Sequence, residues 1–370
     1  MIKKFFLLLF KTKWIFTLPK KRELLIYDKA SLNSNFVKIL FKKKKFEVLH
    51  TRYESVNILV LLKTVYKYGF INIIENYKKN FFSLVEPKII YTTIDSSVSF
   101  YKLKNIYPNA KYIVDQRGIS KVTGATWPNK FFWDIKKYNK LNKTKAKVDI
   151  LFVFGSNEKK RLQDIINGNY FVLGNTKNNA YNSNLKLKKK REITYICSGL
   201  WEPSWTRQCQ TFKLLNKYCY EKNIKLNFLP KRIIGKTEFD EKYYRKKLGE
   251  KNWKYLDHSN INIYKHLLTQ ELVVFAHSTL GFEVMAKGIK VAILSNYFPE
   301  KMSKRYYSND GLFWTSKTDY VSLAKLFDRM LRIKKSSWNK IYRKFSYEIM
   351  FYDKNNLKKK RIINSIIKRI

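Results

Sequence analysis

The feature that most constrains this chain is an alternation of short apolar, β-branched runs with longer helical stretches, played twice. In the first series the runs are ELLIYD (23–28), FEVLH (46–50), KIIYTTID (88–95), KYIVDQRG (111–118), VDILFVFG (148–155) and NYFVLGN (169–175). Helical patterns fall at residues 31–41, 56–68, 98–106 and 157–166. Residues 176–191, TKNNAYNSNLKLKKKR, then break the pattern with Asn and Lys and read as a linker. A second series follows, with strands at 191–199, 224–232, 271–278 and 289–295 and helices at 206–221, 239–248, 261–268 and 280–287. Strands and helices alternating at this spacing predict parallel sheets covered on both faces. The expected fold class is α/β, two Rossmann-like domains facing across a cleft, with a basic helical C-terminal tail. The expected divisions are a basic N-terminal segment (1–22), a first domain (23–175), the linker, a second domain (192–320) and C-terminal helices (321–370). Ligands of such folds sit beyond the carboxyl ends of the parallel strands.

Composition narrows the partners. The 76 Lys and Arg residues against 28 Asp and Glu leave a formal charge of +48. Such a surface attracts polyanions, whether nucleic acid, anionic lipid or phosphorylated sugar. An AT-rich coding bias accounts for the charge equally well, since Lys, Asn, Ile, Tyr and Phe are abundant together, so charge alone names no partner. The three cysteines, Cys197, Cys209 and Cys219, form no CxxC pair, which argues against a disulfide framework or zinc site and for a reducing cytoplasm. No apolar run reaches the ~20 residues that span a bilayer. Residues 1–22, MIKKFFLLLFKTKWIFTLPKKR, carry seven bases and no acid, which suits the interface of an anionic membrane. The alternative is a core element with solvated flanks. The expected location is cytoplasmic, with peripheral attachment to the inner face of the cytoplasmic membrane.

What the sequence lacks is informative. No two of the 12 glycines are two residues apart, so no GxGxxG turn exists. There is no Gx4GK[ST] loop and no GxSxG elbow, and no two aspartates are two residues apart as in a DxD metal motif. What remains is phosphate binding by helix N-termini and basic side chains, with no metal or cofactor expected.

The segment FAHSTLGFEVMAKGIKVAILSN (275–296) carries the strongest chemistry. A strand runs into a turn of His277, Ser278 and Thr279, then into a helix whose first amides and hydroxyls suit phosphate oxygens. Gly281 is expected to let backbone approach the ligand, and Glu283 to accept hydrogen bonds from ribose hydroxyls. An ordinary N-cap at Ser278 or Thr279 is the alternative. In FLPKR (228–232), Lys231 and Arg232 follow a strand and suit a leaving phosphate, unless they are a solvated pair. In the first series, Asp95 closes one strand and is a candidate general base, or a helix N-cap. Gln116, Arg117 and Gly118 close another and suit sugar hydroxyls. Gly155, Ser156 and Asn175 sit in small polar turns at further strand ends.

Taken in order, these segments resemble bacterial surface-carbohydrate biosynthesis proteins of the GT-B glycosyltransferase type. HSTLGFEVMAKGIKV resembles their nucleotide-binding stretch, TTIDSSVSFYKL and DQRG two first-domain segments, VFGSNEKKRL with GNYFVLGNTKNN a third, and GLFWT (311–315) a further one. The likeness covers residues 23–315. Ser96 and Arg117 stand where the family usually has Asn, which puts acceptor choice in doubt. The resemblance implies a metal-independent transfer from a nucleotide-sugar donor, a CMP-linked ulosonic acid among the candidates, to a surface polysaccharide or lipid-linked glycan acceptor. The donor would be held by the second domain and the acceptor by the first. The alternatives are a polyol-phosphate transferase, a sugar epimerase on the same fold, or a basic nucleic-acid-binding protein. No RRM, KH or zinc-finger signature supports the last, so no specific nucleic-acid partner is expected.

Overall fold

The computed structural model describes residues 12–42, 44–51, 54–118, 130–181, 190–198, 204–231, 240–257, 261–294 and 310–369. They form two compact units. The first holds the described residues through Gly118, those from 130 to Ala180, and those from Asp353 onward; the second holds Tyr181 to Tyr352.

The first unit is built on six parallel strands. In chain order they are β2 (Leu24–Tyr27), β3 (Phe46–Leu49), β5 (Ile89–Thr92), β6 (Lys111–Asp115), β7 (Ala146–Val153) and β8 (Ile166–Val172). They lie side by side as β3-β2-β5-β6-β7-β8. A separate parallel pair joins β1 (Lys13–Ile15) to β4 (Ser55–Asn57). All residues of β2 and β5 are buried, because a parallel sheet with helices on both faces has no wet side. Successive residues therefore feed opposite cores. Leu24, Ile26, Ile89, Tyr91, Ile113 and Phe152 fill one, and Leu25, Tyr27, Ile90, Tyr112, Val114 and Leu151 the other.

The first of those cores also contains Ile363, with Ile362, Ile366 and Ile367 packed against it. The C-terminal helix Leu357–Arg369 thus covers the sheet of the first unit, a return that the sequence did not announce. It brings Lys359 into the interior opposite Asp115, both side chains fully buried. The ammonium donates to Asp115 Oδ1 at 2.8 Å, to Thr176 Oγ1 at 2.7 Å and to the Gly174 carbonyl at 3.2 Å. Tyr91 and Thr176 donate to the other carboxylate oxygen at 3.0 and 2.6 Å.

The second unit has six parallel strands: β9 (Lys190–Ile196), β10 (Lys225–Leu229), β11 (Trp253–Tyr255), β12 (Gln270–Phe275), β13 (Val291–Leu294) and β14 (Trp314–Thr315). They lie as β11-β10-β9-β12-β13-β14. Aromatic rings fill one side of this sheet. Phe228 meets Phe212, Trp253 and Tyr244 at centroid distances of 5.1, 5.4 and 5.0 Å. Such tilted and edge-on pairs contribute beyond their buried area.

Several elements differ from the sequence reading. Residues 176–180, read as the start of a linker, form a helix with Thr176, Asn178 and Asn179 buried in the first unit. The helix read at 56–68 begins as strand β4 and becomes helical at Ile58–Tyr68. A second helix, Ile73–Val85, follows it and was not anticipated; nor were Lys130–Leu141 and the short strands β1, β11 and β14. Residues 1–11 of the basic N-terminal segment lie outside the described residues. Among the described residues no helix is long and apolar enough to cross a membrane, and all three cysteines are free thiols.

Removing one member of a buried ion pair leaves the other charge uncompensated. Lys359→Met is expected to destabilise the first unit by about 3–5 kcal/mol, seen as a lower urea midpoint in equilibrium unfolding.

Candidate functional site

In a doubly wound sheet the first strand of the series sends connections to both sides, and the loops at its carboxyl edge part where strand order reverses. In the second unit the reversal lies between β9 and β12. Ser198 follows β9 and His277 follows β12, and the His277 amide donates to Ser198 Oγ at 2.8 Å. Lys231, just beyond β10, reaches in from the other side, its ammonium donating to the Ser198 carbonyl at 3.0 Å. Tyr244 pins Lys231 by donating its hydroxyl to the Lys231 carbonyl. Three strand ends are thus laced together through Ser198, a residue that sequence reasoning passed over. Arg232 lies outside the described residues.

The helix Thr279–Ala286 starts at this point. Ser278 occupies its N-cap position, but its hydroxyl makes no capping bond. His277, Ser278 and Thr279 are each partly exposed. The open amides of a first turn and the positive end of the helix dipole suit an anion. Glu283 is only 5% exposed and accepts the Tyr264 hydroxyl at 2.5 Å. A carboxylate has acceptor capacity for more than one donor. Lys287 lies on the far end of the same helix, donates to the Tyr181 carbonyl at 2.7 Å and sits over the rings of Tyr181, Tyr352 and Tyr264 at 4.9, 5.1 and 5.4 Å. Burial pulls its ammonium down to about 8, against the opposing pull of Glu283.

Gly281 has a different role from the one expected. A Cβ built there would lie 2.4 Å from the Phe275 ring, so the bare backbone lets helix and strand β12 pack closely. Gly281→Ala is therefore expected to cost about 1–3 kcal/mol through overpacking, read as a lower melting temperature.

In the first unit the expected residues divide. Asp95 is not a helix cap, since Ser97 holds that position before Val98–Ile106. Its carboxyl is enclosed near Glu158, and burial, then the Glu158 charge, push it up to about 7. Gln116, by contrast, is fully occupied: its carbonyl oxygen accepts the Phe154 amide at 2.8 Å, and its amino group donates to Glu158 at 3.0 Å and to the Gly118 carbonyl at 3.2 Å. Glu158 is also held by Arg161 at 2.6 Å. Gln116 thus positions Glu158 beside Asp95 rather than presenting itself to a sugar. Asn175 is likewise committed, accepting the amides of Lys177 and Asn178 at 2.8 and 3.2 Å. Gly155 caps the helix Ser156–Gln163, and Ser156 is its partly exposed first residue. Arg117 is exposed, its guanidinium donating to the Ala30 carbonyl at 3.3 Å, and Gly118 has open space where a side chain would be.

No curated protein matches this chain in sequence. The family described as "putative O-antigen biosynthesis protein" matches residues 198–367. Among solved structures, a "putative UDP-N-acetylglucosamine 2-epimerase" from Listeria monocytogenes is similar at a TM-score of 0.57 and 14% identity, over 94% of this chain and 96% of that one. A variant of the wall teichoic acid polymerase TagF is similar at 0.54 and 10%, over 95% and 89%. Sucrose-phosphate synthase from Thermosynechococcus elongatus is similar at 0.53 and 10%, over 95% and 100%. The chain has a GT-B-like fold. That fold carries glycosyltransferases and epimerases alike, and at these identities the likeness speaks for architecture alone. The match over residues 198–367 spans Ser198, Lys231 and the His277–Glu283 turn and adds a likeness to surface-carbohydrate biosynthesis.

The Asp95 environment has a sign that can be checked. A carboxyl raised to about 7 stays protonated in the fold while the unfolded chain ionises near the ordinary carboxyl value of 3.8. The native state then holds the extra proton, and stability falls as pH rises between those values. Asp95→Asn should remove this slope, so its melting temperature gains on the wild type from pH 4 to pH 7 and then runs parallel.

Proposed function

We propose that this GT-B-like chain is a metal-independent glycosyltransferase that moves a sugar from a nucleotide donor to a surface polysaccharide or lipid-linked glycan. The observation that carries the proposal is the convergence of Ser198, Lys231 and the uncapped turn at Ser278 on the reversal point of the second unit. The donor phosphates would rest on the amides of that turn and on the Ser278 and Thr279 hydroxyls. Lys231 would offset the charge that develops on the departing phosphate. Glu283 would accept a ribose hydroxyl while keeping Tyr264. Asp95, with a carboxyl near 7, suits a general base towards an acceptor hydroxyl at neutral pH. The basic surface, with its +48 formal charge, would hold the enzyme near an anionic membrane.

The reading is supported by the fold, by the match of the second half to an O-antigen family, and by neighbours whose names include a sugar nucleotide and a cell-wall polymer. A thermal-shift panel of CMP, CDP, UDP and GDP compounds tests it. A ligand at 100 times its Kd stabilises by about 2.7 kcal/mol, a shift of several degrees for one class of nucleotide. Lys231→Ala and Ser278→Ala should each weaken that ligand about tenfold, the cost of one charge-assisted contact, while Gly118→Ala leaves it unchanged. Flat melting curves across the whole panel would sink the reading. Radiolabel from the donor that stays on the nucleotide in an epimerised sugar would assign the fold's other chemistry.

A further inference from the structure

The first unit has a reversal point of its own, between β2 and β5, and it is not where the expected residues gather. A cavity of about 540 Å³ opens there, at the carboxyl ends of β2, β3 and β5. Its polar wall is Asp28, His50, Thr51, Ser55 and Lys78. Its apolar wall is Trp14, Val56, Leu61, Ile73 and Ile74. Asp28 turns the chain into this cavity with φ of 72°, a left-handed backbone that a non-glycine residue adopts only when its surroundings hold it. The holders are visible: its carboxylate accepts the Ala30 amide at 2.8 Å and the Thr51 hydroxyl at 2.9 Å.

Two polar atoms on this wall are buried without a partner, and a half-buried lysine stands beside them. His50 Nδ1 and Ser55 Oγ are buried without a hydrogen bond. Lys78 has no hydrogen bond or ion pair, and its ammonium stands 5.9 Å from the centre of the Tyr27 ring. Each unsatisfied buried polar group costs about 1–3 kcal/mol, so two of them beside a half-buried lysine at a reversal point call for an outside partner. Burial lowers both the His50 and Lys78 pKa, as expected for groups held away from water.

The apolar wall continues outward. Ile74 lines the cavity and is 54% exposed. On the helix Ile58–Tyr68, Val60 and Thr64 face inward, while Leu59, Leu62 and Tyr66, spaced as one helical face, are exposed. Phe70 and Ile71, between this helix and the next, are 79% and 75% exposed. A helix that is apolar on its outer face as well is seeking a nonaqueous partner. Lys63 and Lys67 stand exposed among these residues.

We infer that this cavity binds an alkyl or isoprenoid phosphate, its head among Lys78, His50 and Ser55 and its chain leaving past Ile74 over the exposed helical face. The site rests on the transferase reading only in that such a lipid phosphate is the natural carrier of a glycan acceptor; the binding itself requires no transfer.

Isothermal titration of the full chain with dodecyl phosphate below its micellar concentration tests the site, with inorganic phosphate and submicellar dodecyl maltoside alongside. Dodecyl phosphate should bind at least tenfold more tightly than either. Ile74→Glu, at an exposed rim position, and Lys78→Met should each weaken it at least tenfold. Equal binding by both variants and the wild type overturns the site, as does inorganic phosphate or dodecyl maltoside binding as tightly as the alkyl phosphate. Should Lys78→Met fail to fold, Ile74→Glu decides alone. Titration of the same protein with UDP and CMP keeps the two readings apart: nucleotide binding without dodecyl phosphate binding removes this site and spares the transferase, and the converse does the reverse.

Discussion

A parallel sheet buried on both faces leaves only its strand ends for chemistry. Every strand of both six-stranded sheets runs the same way as its neighbours, and helices cover the faces. The side chains along the strands are spent on packing, as in β2 and β5, where no residue is exposed. Polar residues with catalytic or binding capacity therefore collect at the carboxyl edges, and most densely where neighbouring loops diverge. Ser198 and His277 in the second unit, and Asp28 and Ser96 in the first, stand at those two points. The location of both candidate sites follows from topology before any motif is consulted.

The buried Asp115–Lys359 pair shows how the same edge is used structurally. Asp115 ends β6 just as Asp95 follows β5, and by sequence position the two are equivalent. What separates them is what folds over them. Asp115 meets an ammonium, a tyrosine and a threonine, which satisfy the carboxylate completely. Asp95 loses water with no cation bonded to it among the described residues, and that burial, then the like charge of Glu158, favours its protonated form. A carboxylate fully neutralised by a lysine is a fastener; one raised by burial and a neighbouring carboxylate can exchange its proton near neutral pH.

Much of the architecture was legible in the sequence because buried parallel strands read as continuous β-branched runs, and the main runs in both series form strands. Short edge strands such as Trp253–Tyr255 and Trp314–Thr315 carry too few residues to show a period. The helix Ile73–Val85 was passed over although Phe81, Phe82 and Val85 bury one of its faces. The last helix could not be placed because its decisive contact joins residues 244 positions apart. Within the candidate sites, turn and strand-end chemistry pointed to Lys231, Ser278 and Asp95, which stand at the carboxyl edges of the two sheets. It pointed equally to Gln116 and Asn175, whose side chains hydrogen-bond backbone amides, since a polar residue at a strand end is able to serve its own backbone. Asp28 and His50 carried the same signal, closing ELLIYD and FEVLH, and only the third dimension shows that they share a cavity.

The chemistry of the two reversal points argues for a division of labour. The second unit offers a small basic and hydroxyl-bearing turn with a helix N-terminus, which suits the phosphates of a compact, water-soluble ligand. The first offers the unpartnered His50 Nδ1 and Ser55 Oγ, with Lys78 beside them, at the base of a wall that turns apolar toward its rim. A ligand that satisfies the wall of the first unit must itself change from polar to apolar along its length. A coding bias toward Lys, Ile and Phe explains why such residues are abundant, but not why the apolar ones stand outward on a helix whose inner face is already packed. That placement costs solubility, and it yields something only if a hydrocarbon phase lies against it.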